Sequence, residues 1–367
     1  MPEAPSIIGL NLKIMTLKNK ILSIIMLLSA SITLTGCYTD FEPDLESTPV
    51  VCLNSRIIAG SPITAKVTRT WRYSEGNPVD GHLNIYLQDS EVSLYVNDKF
   101  EENLRLDSDT IEWYDIKPVF KANYIPKEGD KIKLTVSNKT YGNAEAEVTV
   151  PYAVDIDKVE TKISNENISV DSDTKYSTSF DMLVNVSFTD PANSLNYYLF
   201  EIDRGTYSNY GPFDFFPEYD NIYESVYISA NFSREPLFSE HITPIETVIS
   251  DGYGLYTVFS DRQISGKRYT LDIPTECSYI WENKDKIEVE KRVTIDVKLY
   301  HISQEYYNYM LSLWAATEGV SGVLGDVGLG QPVCEFSNVS TGAGIVAAAA
   351  CSTVSLKVYD LLTKDRQ

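Results

Sequence analysis

Val50-Val51-Cys52-Leu53-Asn54-Ser55-Arg56-Ile57-Ile58, VVCLNSRII, decides the class of the fold. Its residues alternate at period two, as in a strand with one buried face. The same alternation returns at Ile63–Trp71, Leu83–Leu87, Glu91–Asn97, Ile111–Ile116, Lys131–Val136 and Ala144–Val150. Turn chemistry separates these runs: Gly60-Ser61-Pro62, Gly76-Asn77-Pro78, Asn97-Asp98 and Lys127-Glu128-Gly129-Asp130. Short strands at this spacing, with no helical period between them, predict an immunoglobulin-like β-sandwich over residues 50–151. The Cys…Trp…Cys core signature is missing, so that label describes architecture alone.

Moving toward the C-terminus, the polar run 151–175 reads as a crossover into a second β-rich domain, 152–367. Strand patterns resume at Met182–Phe188, Tyr197–Ile202, Val226–Phe232, Leu255–Phe259, Arg268–Ile273 and Val293–Tyr300, and a last strand is expected at Thr353–Tyr359. One helix is predicted near 303–317, capped by Ser303 and followed by Gly319. Tyr307, Met310, Leu311 and Trp314 form its apolar stripe, which reads as core packing. The expected fold is therefore mainly β, two domains with a single helix. Asp203–Tyr223 departs from the strand pattern by gathering Tyr and Phe among Gly, Pro and Asn. Large rings on a loop suit contacts with proteins or sugars, and Tyr210, Phe213, Phe215 and Phe216 are the expected contact residues.

Toward the N-terminus, ILSIIMLLSASITL at Ile21–Leu34 is free of charge and follows Lys13, Lys18 and Lys20. This reads as a signal peptide ending at residue 36, with translation starting at Met15. It is shorter than the roughly 20 apolar residues of a spanning helix. Leu34-Thr35-Gly36-Cys37 resembles the bacterial lipobox, which implies acylation of the Cys37 thiol. The tether at 37–49 carries Asp40, Glu42, Asp44 and Glu46, resembling the surface-export signal of Bacteroidota lipoproteins.

The formal net charge of −21 disfavours nucleic acid and anionic membrane surfaces as partners. Membrane attachment is expected through the lipid alone. Cys52, Cys277, Cys334 and Cys351 remain after lipidation and allow three pairings, of which Cys334 with Cys351 is favoured. Asp109-Thr110-Ile111 resembles a D-[S/T]-aliphatic O-glycosylation sequon, with Thr110 as the acceptor.

Several motifs form an ordered series. They are Ser187-Phe188-Thr189-Asp190-Pro191 with Asn196-Tyr197-Tyr198, Phe259-Ser260-Asp261, and Ile264-Ser265-Gly266-Lys267-Arg268-Tyr269. Ile302–Tyr309 and Phe336-Ser337-Asn338-Val339-Ser340-Thr341-Gly342-Ala343-Gly344-Ile345 complete it. The series resembles the Bacteroidota lipoprotein family known as domain of unknown function 4249. The resemblance implies an outer-membrane lipoprotein encoded near TonB-dependent transporters, and it supplies no catalytic residue. The residues themselves read as scaffold: Asp190 and Asp261 end strands, and Gly342 and Gly344 permit close packing or positive φ.

Catalytic signals are sparse. The three histidines, His82, His241 and His301, are scattered, and neither H-E-x-x-H nor G-x-S-x-G occurs. Gly325–Gly330 lacks the P-loop lysine. No metal site, cofactor or catalytic residue is expected. The leading expectation is a non-enzymatic, surface-exposed outer-membrane lipoprotein accessory to a TonB-dependent transporter or another surface protein. A fimbrillin-like adhesin comes second, and a glycan hydrolase needing converging carboxylates third.

Overall fold

A computed structural model of the chain describes residues 48–72, 75, 84–108, 111–112, 115–116, 118–170, 175–204, 226–239, 257–282, 286–317 and 334–364. The first half supplies β1 (Val51–Ile58), β2 (Thr64–Arg69), β3 (Glu91–Val96), β4 (Lys99–Asn103) and β5 (Arg105–Asp107). It continues with β6 (Ile111–Glu112), β7 (Asp115–Ile116), β8 (Val119–Lys121), β9 (Lys131–Asn138) and β10 (Gly142–Thr149). Next come β11 (Ile156–Val170), β12 (Lys175–Thr189), β13 (Tyr197–Arg204), β14 (Val226–Ala230) and β15 (Val258–Ser260). β16 (Arg268–Glu282), β17 (Thr294–Ile302) and β18 (Ala343–Lys357) complete the strands, with helices α1 (Lys286–Arg292), α2 (Gln304–Thr317) and α3 (Val358–Lys364). The protein is mainly β, as expected.

The organising layer is an eight-stranded sheet in the order β15-β13-β17-β18-β1-β2-β8-β5. Two four-stranded sheets, β10-β9-β3-β4 and β11-β12-β16-β14, accompany it, and β6 with β7 forms a small hairpin. Alternation decides what each face buries. On one face Val51, Leu53, Ile57, Val346 and Ala348 pack with Val92, Leu94, Ile132, Leu134 and Val148 of the first small sheet. Farther along, Tyr198, Phe200, Val297 and Leu299 pack with Phe180, Met182, Val184, Leu271 and Ile273 of the second. The opposite face meets α2, whose Tyr307 and Trp314 are buried against Tyr197, Leu199, Ile302, Ala347 and Ala349.

This topology corrects the division expected at Pro151. The described residues pack into three clusters, and β18 runs parallel to β1 and antiparallel to β17, so one sheet crosses that boundary. The first core also contains Val339, Val346 and Ala348, and Pro49–Gln367 forms a single compact unit. Ala347–Ala350 explains itself in this setting: alternate methyl groups face α2 and the interior, and small side chains let the helix approach.

The predicted helix is α2. Ser303 caps it, its Oγ accepting the Tyr306 N–H at 3.3 Å. The 151–175 segment differs from the expected crossover, because Ile156–Val170 is a long strand. β11 is an edge strand with little buried side-chain surface, so its sequence never needed apolar alternation. Thr353–Tyr359 is likewise not a separate strand, since β18 starts at Ala343 and gives way to α3 at Val358.

The Thr341-Gly342-Ala343-Gly344 turn leads into β18. A Cβ at Gly342 would lie 2.5 Å from the Val51 carbonyl oxygen. At Gly344, where φ is +107°, it would overlap the Leu53 carbonyl group. Just before the turn, Ser340 exchanges backbone hydrogen bonds with Glu145 at 2.8 and 3.3 Å. That exchange partly covers the free edge of β10.

Candidate functional site

Three of the sequence motifs converge on one buried polar cluster. Asp190 directly follows β12, and Asp261 directly follows β15. The pairing of β13 with β15 and of β12 with β16 brings them together. Asp190 Oδ1 accepts the Tyr198 hydroxyl at 2.5 Å, and its Oδ2 accepts the Gly266 N–H at 2.8 Å. Asn196 Nδ2 donates to Asp261 Oδ2 at 3.0 Å and, at 3.4 Å, to Asp190. Both aspartates are at most 2% exposed. Burial foremost, with the neighbouring Asp190 charge adding to it, raises the Asp261 pKa above the ordinary carboxylate value. Burial and the bond to Asp190 push the Tyr198 hydroxyl far up, so it stays a donor.

Two acids in contact resemble a catalytic dyad, but both are buried, and Asp190 is bonded to the fully buried Tyr198. The pair's oxygens are engaged with the chain's own donors. The same device recurs: Tyr269 donates to buried Glu235 at 2.6 Å, and Tyr279 to buried Glu290 at 2.7 Å. Tyr124 donates to Asp130 at 2.7 Å, a bond that foremost pushes its hydroxyl pKa up to about 12. Tyrosine–carboxylate pairs are thus a recurrent way in which this acidic chain buries acids. His301 is held by Tyr152, its Nδ1 lying 2.7 Å from that carbonyl oxygen, and burial lowers its pKa.

The open chemistry lies elsewhere. α2 covers the eight-stranded sheet over β13, β17 and β18, and at its flank a cleft of about 310 Å³ opens above β1 and β2. Asn54, Arg56, Thr64 and Lys66 line its floor, Tyr306, Tyr309 and Met310 its helix wall. The register explains the placement: Arg56 lies beside Ala347 and Asn54 beside Lys66. Arg56 stands 5.3 Å from the Tyr300 ring centroid and 5.7 Å from that of Tyr306. Its Nε is buried with no hydrogen-bond partner, and Arg56 makes no ion pair among the described residues. Tyr300 also shares a side-chain hydrogen bond with Arg56, and the more distant Glu201 charge favours its cationic form.

A second, polar cleft of about 370 Å³ contains Glu91 and Glu145. Both are exposed; Glu145 pairs with Lys133 at 2.8 Å, and Glu91 accepts from Asn103 at 3.2 Å.

The expected Cys334–Cys351 bridge is not formed, because Cys52, Cys277, Cys334 and Cys351 are all free. Cys351 lies inside β18 with its Sγ 3.4 Å from Thr353 Oγ1, whereas Cys334 is exposed ahead of that strand. Cys37, Thr110, Tyr210, Phe213, Phe215 and Phe216 lie outside the described residues. Sequence reasoning missed Arg56. Its position on the less apolar face of VVCLNSRII looks like ordinary solvent exposure, and only the arrival of α2 changes that.

Fold and cleft together define a mainly β, multi-sheet protein with a ligand-sized recess beside its one long helix among the described residues. The chain belongs to the family described as domain of unknown function 4249, whose model matches residues 38–355. No curated protein matches it.

Proposed function

We propose that this protein is a lipid-anchored, surface-displayed outer-membrane protein that binds a small molecule and transforms nothing, as an accessory to a TonB-dependent transporter. The observation that carries the binding role is the cleft beside α2, where the half-buried Arg56 has no carboxylate within ion-pair distance among the described residues. The buried acids support it from the other side, since the Asp190–Asp261 pair is buried and bonded to the chain's own donors. Lipid anchoring rests on Leu34-Thr35-Gly36-Cys37. The adhesin alternative needs a first strand that can be released or exchanged. β1 is held by β2 on one side and β18 on the other, which weighs against it.

Two measurements test the reading. Cys37→Ser should abolish incorporation of labelled palmitate and leave the protein soluble or unprocessed. Label entering the variant at the wild-type level would remove the anchor. Protease added to intact cells should digest the wild-type protein while a periplasmic control survives, and equal protection of both would remove surface display.

A further inference from the structure

We infer that the cleft beside α2 is a site for a small organic carboxylate with an apolar or aromatic body, seated on Arg56. The inference rests on the binding role proposed above and gives that role a ligand class. Three properties of the recess select it.

The first is the direction from which Arg56 can be approached. Rings of Tyr300 and Tyr306 lie 5.3 and 5.7 Å from the guanidinium carbon. With aromatic rings against its surface, the group binds an incoming ligand best through its in-plane N–H edge. A planar carboxylate matches that edge with two parallel hydrogen bonds.

The second is charge. The chain has 52 acidic and 31 basic residues, yet no carboxylate among the described residues lies within ion-pair distance of Arg56; Glu201 acts on it from farther off, and Tyr300 shares a hydrogen bond with it. Arg56 is only half-buried, so the part of its guanidinium that lines the cleft is open to an acceptor there. Lys66 adds a second cation to the same lining. With a net charge of −21, the molecule as a whole repels multiply charged anions far more than a monoanion.

The third is the lining. Val119, Met310, Ile345 and Ala347 are apolar, and Tyr306 and Tyr309 contribute ring faces. At about 310 Å³ the recess is at the small end of ligand sites. An inorganic anion would leave these surfaces unused, whereas an aliphatic or aromatic acid covers them.

The test is calorimetric titration of the purified full chain, in non-ionic detergent at pH 7, with phenylacetate and hexanoate. Inorganic phosphate and the neutral 2-phenylethanol serve as comparisons. At least one carboxylate should bind saturably, with phosphate and 2-phenylethanol at least tenfold weaker. Arg56→Gln should weaken the carboxylate at least tenfold. Met310→Trp, which fills the recess from its helix wall and leaves Arg56 in place, should do the same. It decides the matter if the Arg56 variant loses its thermal transition. Failure of both carboxylates to bind, equal binding by a folded Arg56→Gln, unchanged binding by Met310→Trp, or phosphate equal to the carboxylates each overturns the inference. The anchoring and display measurements would be untouched by any of these results, so the ligand class and the proposed placement fail separately.

Discussion

Gly344→Ala is expected to lower the melting temperature of the protein by on the order of 10 °C, a cost of about 3 kcal/mol or more. Two separate penalties meet at this residue. Its φ of +107° lies where an L side chain is strained, and the added Cβ would overlap the Leu53 carbonyl group. Neither can be relieved by a side chain moving aside, because the obstruction is the backbone of β1. The strand start would have to withdraw, breaking the register that sets Gly344 beside Leu53 and Ile345 beside Asn54. Gly142→Ala is the natural comparison. It also has positive φ, +86°, but nothing stands within 4 Å of the place its Cβ would take, so it should lose only the strain. If Gly344→Ala melts within 2 °C of wild type, the close approach of β18 to β1 is wrong.

The second large effect separates two acids of one cluster. Asp190→Ala removes the acceptor of the Tyr198 hydroxyl and the Gly266 N–H, and one acceptor of Asn196. Stranding these groups in a buried site should cost at least about 3 kcal/mol. Asp261→Asn should cost less, because an amide oxygen can still accept from Asn196 and the change removes a charge that burial disfavours. The pH dependence gives the same contrast with a definite sign. A carboxyl whose folded pKa lies above its unfolded value contributes stability that is complete below the unfolded pKa. That contribution is lost as pH rises through the folded value. The stability difference between wild type and Asp261→Asn should therefore shift in favour of wild type as the solution is acidified toward the ordinary carboxylate range. Urea titrations of both proteins across that range measure it. A difference independent of pH, or one moving the opposite way, would show that folding does not raise the Asp261 carboxyl above its unfolded value.

How much of this was legible in the sequence depended on what each residue had to satisfy. VVCLNSRII and KIKLTV announced themselves because one face of each is buried, and burial imposes period two. The helix near residue 304 was legible from its Ser303 cap and apolar stripe. β11 was not, because an exposed edge strand puts almost no constraint on side-chain polarity. The pairing of β1 with β18 was invisible for another reason: alternation fixes a strand's faces and says nothing about its neighbour. The motif residues Asp190 and Asp261 stood out individually, but their meeting depends on which strands pair. Arg56 was hidden twice over, since both the parallel neighbour and the covering helix are distant in sequence.

That parallel pairing governs the order in which the molecule can form. Asn54 and Ile345, joined across it, are 291 residues apart. A chain delivered from its N-terminus, whether from a ribosome or through a narrow passage, cannot close its main sheet until β18 has emerged. Until then β1 has one edge unfilled, and the first core lacks Val339, Val346 and Ala348. Contacts of such span make folding slow, because loop closure is paid before the pairing returns anything. The two four-stranded sheets can pair earlier, but the layer that joins them is finished only by the last strand.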